Sequence, residues 1–490
     1  MSSTHFKNIG ILILLTILAL LAPLSASAET EAITPVKTQP PVSQKTPPLQ
    51  NRKEDADHPA LTETTEARRE RMKWWKDAKF GMFIHWGLYS GLAGDWKGEH
   101  KGAEWLQKNA ELDTDTYAKE ALPLFSPKQG FAEEWATLAK EAGCQYAVLT
   151  SKHHEGFALF NSAETEFDAK SKQGRDLVKE YLDAFRAKGL KVGLYHSVID
   201  WHHPSYDNTI CPDMCYPAGQ KKLHEDQKIP RDQEAYQKFL HAQVKELMSN
   251  YGKIDVIWWD YSQGDMSGQK GWKAPELIKM VRKLQPGIIM NSRLYTNSSL
   301  GDTPDTLDLR CGDFITPEQS IPKNNLTHVD WETCMTIGNQ WGYTRDDNEI
   351  KSIDELVLKL AECTTKGGNL LLNINPQSDG TVPLAISMAM RNMGAWLKVN
   401  GEAVYGSTPE TLPNLPEGIA ATRKDNKIYL FILQSSELMR DKPLIIPLPK
   451  EYKKASLLGA SSDISITPVG ITLSPELLNG KTVPIIRLSK

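Results

Sequence analysis

Residues 176–200 read DLVKEYLDAFRAKGLKVGLYHSVID, and this stretch contains the two kinds of element that decide the fold. Its first half places Leu177, Tyr181 and Phe185 on one face, at the spacing of an amphipathic helix. Its second half changes to the apolar run Val192–Val198, which is typical of a strand buried on both faces. The stretch therefore predicts a helix that leads into a strand of a parallel sheet.

The same alternation runs from residue 66 to residue 401 and predicts one α/β domain. So long an alternation, without a glycine-rich phosphate loop, favours a (β/α)₈-like barrel over an open dinucleotide-binding sheet. We expect this domain to carry the active site. The predicted strands are Phe80–His85, Tyr146–Thr150, Val192–Val198, Val256–Asp260, Ile288–Met290 and Leu370–Ile374, and the predicted helices cover 131–142, 176–188, 232–250, 275–284 and 353–364.

The pattern changes after about residue 402, where short apolar runs follow one another without helices between them. Lys424-Asp425-Asn426 separates two of these runs, which is a hairpin signal. We therefore predict a small antiparallel β-sandwich domain at residues 402–490. Its predicted strands are Ile419–Thr422, Ile428–Leu433, Leu444–Ile446, Ser456–Leu458, Ile464–Thr467, Ile471–Leu473 and Val483–Leu488.

The start of the chain carries export and linker signals. Lys7, the apolar run Ile9–Leu21 and the small residues before Glu29 form the three regions of a secretory signal peptide, predicted at residues 1–28. The run is shorter than the roughly 20 residues that span a bilayer, so we expect cleavage and export, with no stable membrane insertion afterwards. Residues 29–65 are rich in proline and poor in apolar residues, which predicts a disordered linker.

The charge of the chain argues against one class of partner, and its cysteine content argues against one class of fold. Lys and Arg total 57 against 61 Asp and Glu, and no concentrated basic stretch is present, so nucleic acid is not an expected partner. Six cysteines are too few and too scattered for a disulfide-built scaffold. Cys211 and Cys215 form the only close pair, and they predict a local disulfide more readily than a zinc site, which needs further ligands.

Polar side chains end nearly every predicted barrel strand. In a parallel barrel the active site lies beyond the carboxyl ends of the strands, so these residues are the first candidates for chemistry. A single polar strand end is more often a cap or a core residue, whereas several in register point to a site. The strand ends are His85 with Trp86, Lys152 to Glu155, Tyr195 to Ser197, Trp258 to Asp260, and Asn291 to Arg293.

Asp260 and Trp258 form a pair suited to a sugar ring. Because side chains alternate along a strand, these two share a face while Trp259 points the other way. An indole face packs against the C–H side of a pyranose, and a carboxylate beside the anomeric carbon can stabilise or trap an oxocarbenium-like transition state. Glu104-Trp105, in the loop after the first strand, is a second pair of this kind. The 13 Trp of the chain, against 12 Phe, fit such a use.

A glycosidase needs a second carboxyl group as proton donor, and the sequence offers three candidates. Glu318 lies in a predicted loop after the Arg293 strand, from which a donor could reach over the site. Asp313 and Glu332 compete with it, and local pattern does not separate them. A separation of about 5–5.5 Å from Asp260 would indicate retention of configuration, and one of roughly 6.5–9.5 Å would indicate inversion.

His85, His153 and His154 are candidate hydrogen-bonding partners of sugar hydroxyls. Adjacent histidines on an extended segment face opposite ways, and neither an HExxH nor a His-x-His spacing is present. Sugar binding is therefore favoured over a metal site, and no cofactor is expected. A barrel hydrolase with a metal bound by histidine is the less favoured alternative.

Four ordered motifs in the barrel region are specific when they are taken together. They are WWKDAKFGMFIHWG at residues 74–87, SKHHEGF at 151–157, GLYHS at 193–197 and GNLLLN at 368–373. They resemble the motifs of the α-L-fucosidases of glycoside hydrolase family 29, over roughly residues 66–400. The resemblance implies a (β/α)₈-like domain followed by a β-sandwich, and exo-hydrolysis of terminal α-L-fucose with retention of configuration and without a metal.

The resemblance also implies roles for single residues. Asp260 matches the nucleophile, Arg293 matches a basic residue near it, and Glu318 is the acid/base on local pattern. His196 stands where the family carries Tyr or His, with Tyr195 beside it as the alternative. The residues that match fucose-binding positions are His85, Glu104, Trp105, His153 and His154, and Trp258 is expected to add apolar surface.

The expected partner is a fucosylated oligosaccharide or polysaccharide. An alternative from another class is a secreted fucose-binding protein that kept the pocket and lost catalysis. Retention of Asp260 and of several acid candidates argues against that alternative. The natural linkage depends on loops beyond the first sugar, which the sequence does not position.

Overall fold

The computed structural model of the chain describes residues 59–206, 216–295, 307–323, 326, 328–434, 443–460, 463–478 and 480–490. The predicted signal peptide and the predicted linker up to residue 58 lie outside these residues, as do Cys211 and Cys215. Helical structure begins at Pro59–Thr62, within the last residues of the predicted linker. No helix in the described part of the chain is long and apolar enough to cross a bilayer.

Parallel strands form the sheet of the barrel. They are β1 (Phe80–Ile84), β2 (Tyr146–Lys152), β3 (Lys191–Ser197), β4 (Val256–Asp260), β5 (Ile289–Met290), β6 (Glu332–Thr336) and β7 (Asn369–Ile374). Their order is β5-β4-β3-β2-β1-β7-β6. The segment 313–318 fills the gap between β5 and β6, with backbone bridges to Asn291 on one side and to Trp331 and Cys334 on the other. The sheet therefore closes on itself, which confirms the predicted (β/α)₈-like barrel.

The strand β6 was not among the predicted strands, and the bridging segment includes Glu318, which was predicted to lie in a loop. β6 contains Glu332, Thr333 and Thr336, so it lacks the apolar run by which the other strands are recognised. The segment 313–318 makes isolated bridges instead of a continuous ladder, and its Pro317 has no N–H to donate. Both segments belong to the barrel because neighbouring segments pair with their backbone, although their own residue types do not favour a strand.

Helices alternate with the strands and pack against the sheet. The longer ones are α1 (Thr65–Ala78), α2 (Phe131–Ala142), α3 (Leu177–Ala187), α4 (Gln233–Asn250), α5 (Ala274–Leu284), α6 (Ile353–Thr365) and α7 (Leu384–Val404). Asp176, Asp232 and Ser352 cap α3, α4 and α6 by accepting a hydrogen bond from a backbone N–H of the first turn. All of the predicted helices are present. Shorter helices are Tyr89–Leu92, Leu106–Asn109, Thr114–Ala121, Leu122–Leu124, Ala169–Gln173, Ala218–Gln227, Gly268–Trp272 and Pro475–Leu478.

The barrel interior is filled with aromatic side chains, and α1 closes its amino-terminal end. Trp75 of α1 packs into this interior. Gly81 of β1 makes room for the aromatic layer, because a Cβ atom there would lie 2.4 Å from Cζ of Tyr146. The filled interior leaves the carboxyl end of the barrel as the place for a binding cavity. The interior cluster includes Phe83, Tyr146, Tyr195, Trp258 and Phe314.

Two antiparallel sheets follow α7. Their strands are β8 (Thr408–Glu410), β9 (Ile419–Lys424), β10 (Lys427–Ile432), β11 (Leu444–Ile446), β12 (Lys454–Leu457), β13 (Asp463–Ile464), β14 (Ile466–Thr467), β15 (Gly470–Leu473) and β16 (Ile485–Ser489). The sheet orders are β8-β9-β10-β16-β12-β13 and β11-β15-β14, and Asp425 and Asn426 form the turn of the predicted hairpin. Tyr429 and Phe431 of β10 join the barrel core, while Leu430 packs in a separate core between the sheets. The arrangement confirms the predicted β-sandwich.

Candidate active site

A cavity of about 210 Å³ opens at the carboxyl end of the barrel. It is smaller than the roughly 300–1,000 Å³ of sites for drug-sized ligands, so it fits one small ring. All of the residues predicted for the site line it except His196. The additional lining residues are Phe83, Tyr195, Tyr261, Gln263, Cys334 and Trp341.

The buried guanidinium of Arg293 joins the two candidate catalytic carboxylates. Its Nη1 donates to Oδ1 of Asp260 at 2.6 Å, and its Nη2 donates to Oε2 of Glu318 at 2.9 Å. Its Nε donates to Oγ1 of Thr316 at 2.6 Å, and its Cζ lies 4.5 Å from the centroid of the Trp258 ring. One fixed cation therefore holds both carboxylates in the same cavity.

Asp260 ends β4, and its other oxygen has a second hydrogen-bond donor. The hydroxyl of Tyr195 donates to Oδ2 at 2.8 Å, and Nε2 of His154 lies 3.9 Å from the same oxygen. Tyr261, the next residue, has φ 76°, a left-handed conformation that is strained for a bulky residue. The sharp turn ends the strand at Asp260 and brings the Tyr261 ring into the cavity wall. Trp258 and Asp260 share the inward face, as predicted, while Trp259 packs outside.

The histidines that line the cavity are neutral. Burial lowers the pKa of His85 to about 4 and that of His154 to about 4, and it lowers the pKa of His153 well below its usual value. Nδ1 of His154 lies 2.7 Å from Oγ of Ser197, whose hydroxyl donates to the carbonyl oxygen of Ile199. The hydrogen of His154 must therefore lie on Nδ1, which leaves Nε2 as an acceptor toward the cavity.

His85 also carries its hydrogen on Nδ1. The side-chain N–H of Asn373 donates to the carbonyl oxygen of Trp341 at 2.8 Å, so the amide oxygen of Asn373 faces His85. Nδ1 of His85 lies 2.7 Å from that oxygen and must be the donor. Nε2 of His85 is then an acceptor, as in His154.

Within the described residues, no group of three or more His, Cys, Asp or Glu side chains is arranged to hold a metal ion.

Glu104 and Trp105 reach the cavity from the loop after β1. Oε2 of Glu104 accepts a hydrogen bond from the backbone N–H of Gly342 at 2.8 Å. Burial raises the pKa of Glu104 to about 7, so this carboxyl can exchange a proton near neutral pH. The Trp105 ring packs edge-on against His154 and Trp201, with ring centroids 5.2 Å and 5.5 Å apart. The pair forms a polar and an apolar part of one wall.

His196 does not line the cavity, which corrects the prediction that it binds the sugar. Neighbouring residues of β3 point to opposite faces, and Tyr195 is the one that points inward, in register with Trp258. His196 packs on the outer face of the sheet, where its Nδ1 lies 3.0 Å from Oγ of Ser151. The alternative residue Tyr195 therefore occupies the position. β3 is apolar on both faces, so its sequence does not show which neighbour faces inward.

Asp313, the first competitor for the proton-donor role, lies outside the cavity. Arg71 and Arg282 donate to its carboxylate at 2.8 Å and 2.6 Å. The backbone N–H of Met290 in β5 donates to the same group at 3.0 Å. Burial alone would raise the pKa of Asp313, but the two guanidinium groups outweigh it and hold the pKa below its usual value. Asp313 is therefore held as a carboxylate by two arginines, away from the cavity in which a proton donor would act.

Glu332, the second competitor, is buried inside the barrel beneath the cavity. Its carboxyl group accepts hydrogen bonds from Nε1 of Trp75 and Nε1 of Trp258, each at 3.2 Å, and from the hydroxyl of Tyr146. Burial raises the pKa of Glu332 to about 7. The group is enclosed by aromatic side chains and has no access to a sugar in the cavity. Of the three candidates, only Glu318 lines the cavity.

Several lining side chains were missed by the sequence analysis. Phe83 precedes His85 by two residues and so lies on the same strand face, a signal that the period of two provides. Cys334 lies two residues after Glu332 on the inner face of β6, which was not predicted as a strand. Trp341 comes from the loop after β6, and no local pattern indicates its position.

Comparisons with known proteins agree with this geometry. The sequence model of the family described as Alpha-L-fucosidase matches residues 49–402. The human plasma α-L-fucosidase is 33% identical over 350 residues, which cover 69% of this chain and 70% of the relative. Most of the barrel domain is therefore shared at the level of sequence.

Solved structures extend the likeness to the whole described fold. α-L-Fucosidase isoenzyme 1 from Paenibacillus thiaminolyticus matches with a TM-score of 0.76 and 37% identity, over 86% of this chain and 99% of that chain. A trapped covalent intermediate of a family 29 α-L-fucosidase from Bacteroides thetaiotaomicron, in complex with 2-fluoro-fucosyl fluoride, matches with a TM-score of 0.72 and 28% identity, over 86% of this chain and 96% of that chain. The chain therefore belongs to the α-L-fucosidase family, glycoside hydrolase family 29.

Proposed function

We propose that this chain hydrolyses the bond between a terminal α-L-fucose and its carrier, with retention of configuration through a covalent fucosyl-enzyme. One observation carries the proposal: Asp260 and Glu318 both bind the guanidinium of Arg293 inside a cavity that fits one sugar ring. Two carboxyl groups that share one arginine can act on the same anomeric centre. Membership of the α-L-fucosidase family supports fucose as the ring.

The cavity wall offers partners for both the hydroxyl groups and the apolar side of fucose. The neutral His85 and His154 present Nε2 acceptors to sugar O–H groups, and His153 lies beside them. The Glu104 carboxyl adds a further hydrogen-bonding group. Trp105 and Trp258 line the same cavity, and we assign their indole faces to the C–H surface of the ring and to its methyl group, because aromatic faces pack well against apolar groups.

In the first step, an oxygen of the Asp260 carboxylate attacks C1 of fucose while the bond from C1 to the carrier oxygen breaks. Glu318 gives its proton to that oxygen, so the carrier leaves as an alcohol. Asp260 becomes a neutral ester and Glu318 becomes a carboxylate. Arg293 contacts both groups, so the negative charge moves from one of its partners to the other and the net charge around it stays the same.

In the second step, a water molecule releases the sugar. Glu318 accepts a proton from the water while the water oxygen attacks C1 and the ester bond to Asp260 breaks. The products are α-L-fucose, the Asp260 carboxylate and a protonated Glu318, which is the starting state. Tyr195 and Arg293 hold the two oxygens of Asp260 in place through both steps.

The test is the variant Asp260→Gly, assayed with an aryl α-L-fucoside. We expect kcat to fall by more than about 10³-fold, as for the loss of a covalent nucleophile. Azide should restore part of the activity and give β-L-fucosyl azide, because it occupies the space of the missing carboxylate. Asp265→Gly is the matched control, since Asp265 is exposed and pairs with Lys270 outside the cavity. Full activity of Asp260→Gly would remove Asp260 from the role.

The alternative is a fucose-binding protein without catalysis. Such a protein would bind fucose with the same cavity wall and would release no product from an aryl α-L-fucoside. The presence of both carboxyl groups on one arginine supports the enzyme over this alternative. A calorimetric titration with fucose beside the turnover assay distinguishes the two. Activity that survives a chelator would also separate the proposed mechanism from one that uses a metal.

We also propose that the enzyme works outside the cytoplasm, on a fucosylated oligosaccharide or polysaccharide. The signal-like residues 1–28 support export, and the human relative is by name a plasma enzyme. After cleavage the exported chain would begin at Glu29. Amino-terminal sequencing of the exported protein checks this, and an intact Met1 on an exported or retained chain would contradict it.

A further inference from the structure

Asn373 lies behind the wall of the cavity, near the end of β7, and the proposed mechanism does not use it. Its side chain is buried and does not line the cavity. β1 and β7 pair in parallel, and the backbone N–H of His85 continues the pairing by donating to the carbonyl oxygen of Ile374 at 3.2 Å. This pairing places the Asn373 amide beside the His85 ring.

The Asn373 amide contacts two residues that line the cavity. Its oxygen accepts the hydrogen on Nδ1 of His85, with 2.7 Å between the two atoms, and its nitrogen donates to the carbonyl oxygen of Trp341 at 2.8 Å. The rings of His85 and Trp341 pack against each other, with centroids 5.0 Å apart. One side chain therefore holds the orientation and the tautomer of His85 together with the backbone at Trp341.

We propose that Asn373 is a positioning residue, which keeps His85 as a hydrogen-bond acceptor toward the sugar and holds Trp341 beside it. The proposal rests on the proposed function for the identity of the sugar, whereas the place of the His85 hydrogen does not depend on turnover. The two contacts need one acceptor and one donor, and a neutral amide supplies both. A carboxylate would offer no hydrogen to the Trp341 carbonyl, and an apolar side chain would satisfy neither partner.

A second histidine of the cavity wall has the same arrangement. Nδ1 of His154 lies 2.7 Å from Oγ of Ser197, and that hydroxyl donates to the carbonyl oxygen of Ile199. Two histidines that follow different strands therefore direct their N–H toward a buried acceptor and present an acceptor to the cavity. A wall of this kind receives hydrogens from sugar hydroxyl groups, so the tautomer of each histidine bears on sugar binding.

The neutrality of the amide also bears on the charge of His85. Burial is the largest influence and lowers the pKa of His85 to about 4, although the bond to Asn373 and the charge of Asp260 oppose this shift. A carboxylate in place of Asn373 would add a second negative charge at hydrogen-bond distance and favour the imidazolium. Nε2 would then carry a hydrogen and could not accept one from the sugar. The titratable and charged groups that face His85 from neighbouring segments are Asp260, Arg293, His153, His154 and Tyr195.

The kinetic test compares Asn373→Asp with Asn373→Leu, using pH profiles of kcat/KM for an aryl α-L-fucoside. We expect Asn373→Asp to move the acid limb up by about one pH unit or more, because the added charge raises the pKa of His85. Activity is then lost as the pH falls through that raised pKa. Asn373→Leu should leave the acid limb in place and raise KM about 10-fold with less change in kcat, since the hydrogen moves to Nε2 and the sugar loses an acceptor.

NMR of the ¹⁵N-labelled histidine rings gives a readout that does not depend on turnover. The protonated and unprotonated nitrogens of a neutral imidazole have distinct chemical shifts, and the His85 signals are those missing from His85→Gln. We expect a neutral His85 with its hydrogen on Nδ1 in the wild type at about pH 6, and a hydrogen on Nε2 in Asn373→Leu. A wild-type His85 with its hydrogen on Nε2 would overturn the proposal, even if no variant folds.

Asn369→Asp and Asn369→Leu are the matched controls. Asn369 is a buried asparagine at the other end of β7, and its side chain also donates to a backbone carbonyl oxygen, that of Trp75, at 2.8 Å. Both controls should keep the acid limb and the His85 signals of the wild type.

A purely structural role of Asn373 would lower kcat/KM by the same factor in both of its variants at every pH and leave the His85 signals unchanged. That result would overturn the proposal. A wild-type enzyme that does not cleave the aryl fucoside, while His85 keeps its hydrogen on Nδ1, would instead contradict the proposed function and support the assignment of His85.

Discussion

The two ends of the barrel combine arginine and carboxylate in opposite ratios. At the carboxyl end, Arg293 holds two carboxylates, Asp260 and Glu318. Toward the other end, Asp313 is held by two guanidinium groups, those of Arg71 and Arg282. The first arrangement gives two carboxyl groups to one cation, as the proposed mechanism requires. The second holds the pKa of its carboxylate below the usual value, so we assign the first arrangement to catalysis and the second to stability.

The largest expected effect is that of Glu318→Ala on substrates with poor leaving groups. Removal of the proton donor should lower kcat/KM about 10²–10⁴-fold for a fucosyl disaccharide, and far less for an activated aryl fucoside, whose leaving group needs no proton. Steady-state kinetics over a series of leaving groups measures the difference. An equal loss for all substrates would contradict the proposed role of Glu318 as proton donor.

A smaller effect, on stability instead of catalysis, is expected for Asp313→Asn. The change leaves Arg282 and part of Arg71 buried without their charged partner, which should lower the free energy of unfolding by about 3 kcal/mol. Urea unfolding measures this, and kcat per folded molecule should stay near that of wild type.

Asp183→Asn is the matched control for that variant, because Asp183 forms an exposed pair with Lys179 and its loss should leave stability unchanged. If Asp313→Asn removed activity while stability stayed the same, the assignment of the two ends would be wrong.

The smallest expected effect concerns Glu332, a carboxyl group whose side-chain hydrogen-bond partners are neutral. Its pKa, raised by burial to about 7 from an ordinary value near 4.5, means that the folded state binds more protons than the unfolded state between these values. The contribution of Glu332 to the free energy of unfolding therefore falls as the pH rises from about 4.5 to 7. The difference in unfolding free energy between wild type and Glu332→Gln should shrink over that range, measured by urea unfolding at several pH values.

The same variant also has a kinetic readout. Trp258 donates to Glu332 and lies under Arg293, so Glu332→Gln should slow good and poor leaving groups by the same factor. Glu318→Ala, in contrast, should slow substrates with poor leaving groups far more than substrates with good ones. A difference in unfolding free energy that is flat with pH, or a loss that grows with poorer leaving groups, would count against the structural role of Glu332.

Much of the barrel and most of the site could be predicted from local patterns. The apolar runs before Asp260 and Arg293 mark buried parallel strands, and the polar residues after them mark the end where a site forms. Trp258 and Asp260 fell on one face because side chains alternate along a strand. The same rule did not separate Tyr195 from His196, because both neighbours lie in a run that is apolar on each side.

The alternation of strands and helices, the β-sandwich after the barrel and the membership of family 29 could all be read from the sequence, because they depend on periodicity and on residue types that lie close together in the chain. The three candidate proton donors, Glu318, Asp313 and Glu332, were distinguished by their places in the folded chain, where only Glu318 lines the cavity. The three carboxyls look alike in sequence, but one shares Arg293 with Asp260, one is held by two arginines, and one is enclosed by aromatic side chains. Their chemistry depends on neighbours that are far away in the chain, and folding brings those neighbours together.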